Sequence, residues 1–347
     1  VLTSGSTSAS AVDVVYRVIE EQGELLLHGV AVKPGKPMLV GRLEDSAYVG
    51  LPGYPVSALT IFRTFVAPAV RDAAGVPEPG TATVSGRMAV RERAEEGRHR
   101  LVPVGLVEDG DGNTLVYPVD KGSGATTSLV DADGTVEIGA DTAYLDADDT
   151  VEVQLFSPDV RVPTLLVVGE DDPTLWDVLD RLDAPRYLPA GSEGGCRSLR
   201  DGVADVAVVS GPVDCDAPHD ELGGWEREWG LVVPAGNPDD VERLADVLGD
   251  CRFVAREQGS GLRASLEERA ADVAAARDTS VADLLSAVPT RSAHESPARL
   301  VARGAADAGL GLRSTAEKLD LGFVPLGTVM VASSNRRRSK SRASAGR

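Results

Sequence analysis

The strongest constraint on the fold is a change of pattern along the chain. Up to about residue 75, strands alternate with helices. The stretch "VVYRVIEEQG" puts Val14, Val15, Val18 and Ile19 on one helical face and stops at Gly23. "LLLHGVAV" and "AYVGLP" read as buried strands, and "PVSALTIFRTFVAPAV" as an apolar helix opened by Pro55. This alternation predicts a parallel sheet with functional loops at its carboxyl edge. Over 76–158, short runs such as "TATVSGRMAV", "RLVPVGLV" and "TVEIGA" lie between Gly, Asp and Asn turns, which predicts a small all-β domain. Beyond Pro158, "TLLVVGE", "VADVAVVS", "CRFVARE" and "LGFVPLG" are strands separated by helices such as "LRASLEERAADVAAA". A second α/β domain over 159–327 follows. Residues 328–347 read as a basic disordered tail, because "SSNRRRSKSRASAGR" carries basic residues and no acid.

Charge narrows the partners. The formal net charge is -19, spread along the chain, and lysine is rare among the basic residues. Such a surface repels nucleic acid phosphates and anionic membranes, and it fits a halophilic source in which salt mutes self-repulsion. Cys196, Cys215 and Cys251 are too few and scattered for a disulfide framework, which points to a reducing cytoplasm. Cys215 and His219 have a metal-like spacing, but no second pair completes four ligands, so an ordinary loop thiol is the simpler reading. The chain opens on "VLTSG", as the tail end of a longer polypeptide would.

Three loops of the first α/β segment can do chemistry. "SGSTSASAVD", Ser4 to Asp13, joins a strand to a helix, where small residues let backbone N–H groups approach an anion. Asp13 could equally only complement the helix dipole. "HGVAVKPGKPMLVG" sets Lys33 and Lys36 around Gly35, stiffened by Pro34 and Pro37. Two cations on one rigid turn make an oxyanion clamp. "GLPGYPVS", Gly50 to Ser57, is a third rigid loop before a helix. Together they point to one anionic small-molecule substrate.

In order and spacing, these loops resemble consecutive motifs of the MoeA/gephyrin-type molybdopterin molybdenumtransferases. Residues 1–75 then resemble the C-terminal half of a MogA-like molybdopterin-binding domain, and 76–158 the family's small β domain. The resemblance implies that Ser4, Gly5, Ser8, Pro52, Gly53, Ser57 and Ser123 bind the pterin cofactor. It makes Lys33 and Lys36 the clamp, and Asp13 an active-site carboxylate holding Mg²⁺. It also implies a homodimer that inserts molybdate or tungstate into adenylylated molybdopterin and releases AMP. Ser6, Ser10 and Tyr54 depart from the family pattern.

Residues 159–327 resemble a type 2 periplasmic-binding-protein-like module, two α/β lobes that close on a ligand. That resemblance makes Ser192, Ser260, Arg263 and His294 the expected contacts, with Arg263 converging on the cleft beside the two serines. Under an alternative reading this module is an oxyanion or small-ligand sensor and the front half a dimer scaffold.

Overall fold

A computed structural model describes residues 1–5, 15–93, 97–109, 111–119, 130–216, 218–249 and 251–336. They form two compact units that meet in sequence at Pro163 and Thr164. Among the described residues no helix is long and apolar enough to cross a membrane.

The first unit begins with a four-stranded sheet ordered Leu2–Ser4, Ser46–Leu51, Leu39–Leu43, Gly23–His28. Alternation along its strands feeds two cores. Leu39 and Tyr48 pack against Ile19 of the helix Val15–Gln22, whereas Val40, Val49 and Leu51 pack against Ile61 and Val66 of the helical stretch that begins at Pro55. Layers on both faces are those of an α/β domain, but only the Leu2–Ser4 and Ser46–Leu51 pair is parallel. The expected parallel sheet is thus mostly antiparallel, because 39–43 and 46–51 are joined by a tight hairpin. "LLLHGVAV" is also not a buried strand: Gly23–His28 is an edge, with Leu26 58% exposed.

Residues 83–155 close into a β-barrel. Strand Gly134–Ile138 pairs with both Thr150–Leu155 and His99–Glu108, which completes a ring through Thr83–Met88 and Thr114–Pro118. Val102, Val104, Leu106, Val116, Val136 and Val153 fill its interior. A short strand from the lysine loop, Val32–Lys33, adds to this barrel beside His99 and Arg100.

The second unit is one eight-stranded sheet with hydrophobic clusters in both of its lobes. Its order is 185–189, 165–169, 206–210, 322–336, 219–233, 308–312, 253–256, 290–291. Strands 219–233 and 322–336 are long and antiparallel, and they run through both lobes. Val331 lies in the first lobe's core with Val167 and Val208, and Val329 in the second lobe's core with Trp229 and Leu310. Gly322–Arg336 is thus sheet where a tail was expected from residue 328. The alternation Val329, Val331 buries one face, and the basic run begins only where the strand ends. Residues 337–347 lie outside the described residues.

Cys196 and Cys215 are not isolated thiols. They form a disulfide with a Cα–Cα distance of 5.1 Å, tying the helix Gly191–Arg200 to the loop after strand Val206–Ser210. The helix packs on that strand and brings the sulfurs together, which linear spacing conceals. The inference from unpaired cysteines to a reducing compartment loses its support.

Candidate functional site

In the first unit, strand register gathers the three predicted loops at one sheet edge. Ser4 pairs with Leu51, and Leu39 with Gly50, so the ends of strands 2–4 and 46–51 and the start of strand 39–43 coincide. Gly5 N–H donates to the Leu51 carbonyl at 3.1 Å, and Ser4 Oγ to the Pro52 carbonyl at 3.2 Å. The lysine loop joins them from below. A Cβ on Gly35 would meet Ile61 at 2.4 Å, and Gly35 has φ 130°, so glycine is needed both for the turn and for its packing on the helix. The Lys36 carbonyl accepts from Val30 and Met38 N–H, and His99 N–H donates to the Ala31 carbonyl. The turn is therefore fastened to the sheet on one side and to the barrel on the other.

Within this edge the predicted residues differ. Lys36 is exposed and Lys33 half-buried. Ser4, Gly5 and Gly53 are accessible, but Pro52 and Ser57 are buried, Ser57 to 4%, so the third loop presents Gly53 and Tyr54 rather than its serine. Ser8, Asp13 and Ser123 lie outside the described residues. Among the described residues no group of three or more His, Cys, Asp or Glu could hold a metal ion.

The second unit concentrates buried charge between its lobes. Strand Leu165–Gly169 ends at a glycine with φ 152° whose Cβ would sit 2.0 Å from the Val208 carbonyl oxygen. Glu170, Asp171 and Asp172 follow. Glu170 is fully buried, and its Oε2 accepts from Ser192 Oγ at 2.8 Å and from Gly261 N–H at 2.7 Å. Asp172 caps the helix Pro173–Leu179 and pairs with Arg227, which also donates to Ser210 Oγ at 3.0 Å. Asp171 accepts from His294, from its backbone N–H at 2.9 Å and with ring Nδ1 3.0 Å away. Arg256, 1% exposed, completes the cluster.

Ser192, Ser260 and His294 thus reach the cleft, Ser260 by capping the helix Gly261–Ala276 whose first N–H holds Glu170. Arg263 does not. Its Nε donates to Glu267 Oε1 at 2.7 Å, one turn along the same helix, beside a hollow lined by Gln258, Val281 and Leu285. A cation in the first turn of a helix faces the positive end of its dipole, and here a neighbouring carboxylate relieves that conflict, while the anion position at the helix start belongs to Glu170. Sequence reading missed Glu170, Asp171, Asp172, Arg227 and Arg256. A signal existed in "GEDDP", three acids directly after an apolar strand.

One consequence is a pH dependence. Burial by itself raises the Asp171 pKa, but the hydrogen bonds from His294 and the nearby Arg256 outweigh it and bring it down to about 2. A depressed folded-state pKa gives stability that is present above the ordinary carboxylate range and lost as pH falls toward about 2. Two pKa units correspond to roughly 2–3 kcal/mol. Trp176, Trp225 and Trp229 all lie in this unit, so urea unfolding followed by tryptophan fluorescence reads it alone. His294→Ala, which keeps the backbone N–H bond and Arg256, is expected to remove the part of this contribution that the imidazole supplies and to leave a flatter acid limb. An unaltered acid limb would show that the pair contributes nothing.

Three family models match successive stretches of the chain. A probable molybdopterin binding domain matches 1–72, the MoeA C-terminal region (domain IV) 85–156, and a PBP superfamily domain 184–332. Molybdopterin molybdenumtransferase of Haemophilus influenzae is 43% identical over 70 residues, 20% of this chain and 17% of that protein. A putative molybdopterin biosynthesis protein of Methanocaldococcus jannaschii is 31% identical over 138 residues, 40% of this chain and 31% of the relative. The solved molybdopterin biosynthesis MoeA protein from Pyrococcus horikoshii is 40% identical, covering 45% of this chain and 37% of that one, with a TM-score of 0.37. The chain spans less than a third of the length of these two curated relatives. MoeA-like domains followed by a PBP-like domain, the fold class read from the motifs, stand on these matches.

Proposed function

We propose that the first unit works in molybdenum cofactor biosynthesis, as the C-terminal part of a homodimeric cytoplasmic enzyme. That enzyme inserts molybdate or tungstate into adenylylated molybdopterin and releases AMP. The observation that carries this reading is the gathering of the Ser4–Gly5, Lys33–Lys36 and Gly53–Tyr54 loops at one sheet edge. In their assigned roles, backbone N–H groups near Gly5 receive the pterin phosphate, while Lys33 and Lys36 neutralise an oxyanion drawn beside it. The substrate's negative charge is met by lysines whose backbone is already fixed, so little further entropy is lost on binding. Mg²⁺ belongs to the same reading through Asp13. Among the described residues there is no carboxylate cluster for it.

Lys36→Ala in the full-length protein tests the reading. Lys36 is exposed, and among the described residues its side chain has no hydrogen bond or ion pair to lose, so thermal stability stays nearly constant. Molybdate use in a cofactor-synthesis assay is expected to fall by one to two orders of magnitude, the scale of roughly 1–3 kcal/mol for a charge-assisted contact. Unchanged cofactor formation would return the lysines to a solvated turn.

The second unit supports a distinct reading, a ligand-binding module that senses an oxyanion or other small ligand. Its support is the set of charged groups buried between two lobes joined by long strands.

A further inference from the structure

We infer that Glu170 is a tethered anion: its carboxylate fills, from within the chain, a seat for a small oxyanion or carboxylate ligand, and the lobes close on it without one. The inference rests on the binding-module reading of the second unit.

Donors from both lobes meet on this one side chain. Ser192 Oγ comes from the start of the first-lobe helix Gly191–Arg200, and the Gly261 N–H from the first turn of the 16-residue second-lobe helix. Hydroxyl, helix N-terminus and nearby guanidinium groups are the chemistry that holds a free oxyanion. Glu170 satisfies only part of it. Arg227 and Arg256, with side chains 8% and 1% exposed, each stop 3.9 Å from Glu170 Oε1, beyond hydrogen-bond range. Glu170 Oε1, Arg227 Nε, and Arg256 Nε and Nη1 are buried without a hydrogen-bond partner among the described residues. A carboxylate anchored through its own backbone can turn two oxygens toward the seat. A tetrahedral anion brings four, and could reach both the Ser192–Gly261 pair and the guanidinium groups. The seat therefore holds donors that its occupant does not reach, which is the mark of a stand-in.

The lobes are also closed on this occupant. Glu193 N–H donates to the Gly259 carbonyl at 3.0 Å across the cleft, and a Cβ at Gly191 would meet the Gly259 carbonyl oxygen at 2.7 Å. An external anion can enter only by displacing Glu170.

The test uses the full chain and three probes, sodium acetate, sulfate and molybdate, with tryptophan fluorescence reporting the second unit. Glu170→Ala vacates the seat, and it is expected to bind at least one probe ~10- to 100-fold more tightly than the unaltered chain in matched salt. Glu170→Gln keeps the bulk in place, and is expected to stay as unresponsive as the unaltered chain. Should Glu170→Ala fold only when a probe is present, the inference gains the same support; a chain unfolded in all three probes overturns it. Equal gains in the Ala and Gln variants would assign the effect to lost charge rather than a vacated seat, and would overturn it too. If the unaltered chain binds a probe tightly and Glu170→Ala adds nothing, the module reading stands and the tethered anion falls. If neither chain binds any probe, both fall.

Discussion

Gly261→Ala is expected to force the lobes of the second unit apart and to cost about 3 kcal/mol or more of its stability, although intrinsic propensity argues the other way. Gly261 opens the helix Gly261–Ala276, and alanine in a helix is favoured over glycine by up to about 1 kcal/mol. The closed cleft reverses that sign. A Cβ at this position would lie 2.1 Å from Ser210 Oγ, 2.2 Å from the Ser210 carbonyl oxygen and 2.5 Å from its carbon. Two of those atoms are backbone and cannot swing away, so overpacking at the upper end of the usual 1–3 kcal/mol is the floor. Lobe separation would also break the Gly261 bond to Glu170 and strand a carboxylate among fewer donors. Urea unfolding by tryptophan fluorescence measures the loss, and small-angle scattering the opening. A stable, unexpanded Gly261→Ala chain would mean that the lobes do not rest on this contact.

Much of the architecture was legible because periodicity reports burial. Short apolar runs between turn residues, such as "TVEIGA" and "RLVPVGLV", placed barrel strands whose Val136, Val102 and Val104 are buried. That signal failed where burial is decided by what a segment lies next to. Leu26 and Leu27 belong to an apolar run yet sit on an exposed edge, and the disulfide partners Cys196 and Cys215 are brought together by helix-on-strand packing. The site followed the same division. Motif order placed three loops that strand register does gather at one edge, a local property of strand ends. The inter-lobe charges come from four distant points in the chain, 170–172, 227, 256 and 294. Arg256 and Arg227 sit inside strands, where a sequence offers no reason to prefer a buried arginine over a solvated one. Arg263 was the more visible candidate, and an i to i+4 carboxylate had already claimed it.

The stability of the second unit should depend heavily on the arginine that sequence reading passed over. Arg256 is 1% exposed and lies on the strand Phe253–Arg256, with Glu170, Asp171 and Glu257 as the acids around it. Burial pushes its pKa down, against the pull of Glu170 and Asp171. The cost of burying this cation is thus borne only because the acids are there, and they in turn depend on it. Removing one member of such a set leaves uncompensated buried charge, typically about 3–5 kcal/mol, whereas replacing opposed charges together can be nearly neutral. Arg256→Met, close in shape but uncharged, is therefore expected to cost about 3–5 kcal/mol in urea unfolding. Adding Glu170→Gln should recover about 1–3 kcal/mol of that loss, because the amide oxygen can still accept from Ser192 and Gly261 while the unpaired charge is gone. The double-mutant cycle also weighs the neighbours. Asp171 keeps its His294 contacts in every chain of the cycle, so a recovery well below 1 kcal/mol would assign Arg256 to Asp171 rather than to Glu170. Arg256→Met with almost no loss would mean that the buried cluster is already solvated or neutral, and the two-lobed unit would then be held closed by backbone packing at its glycines alone.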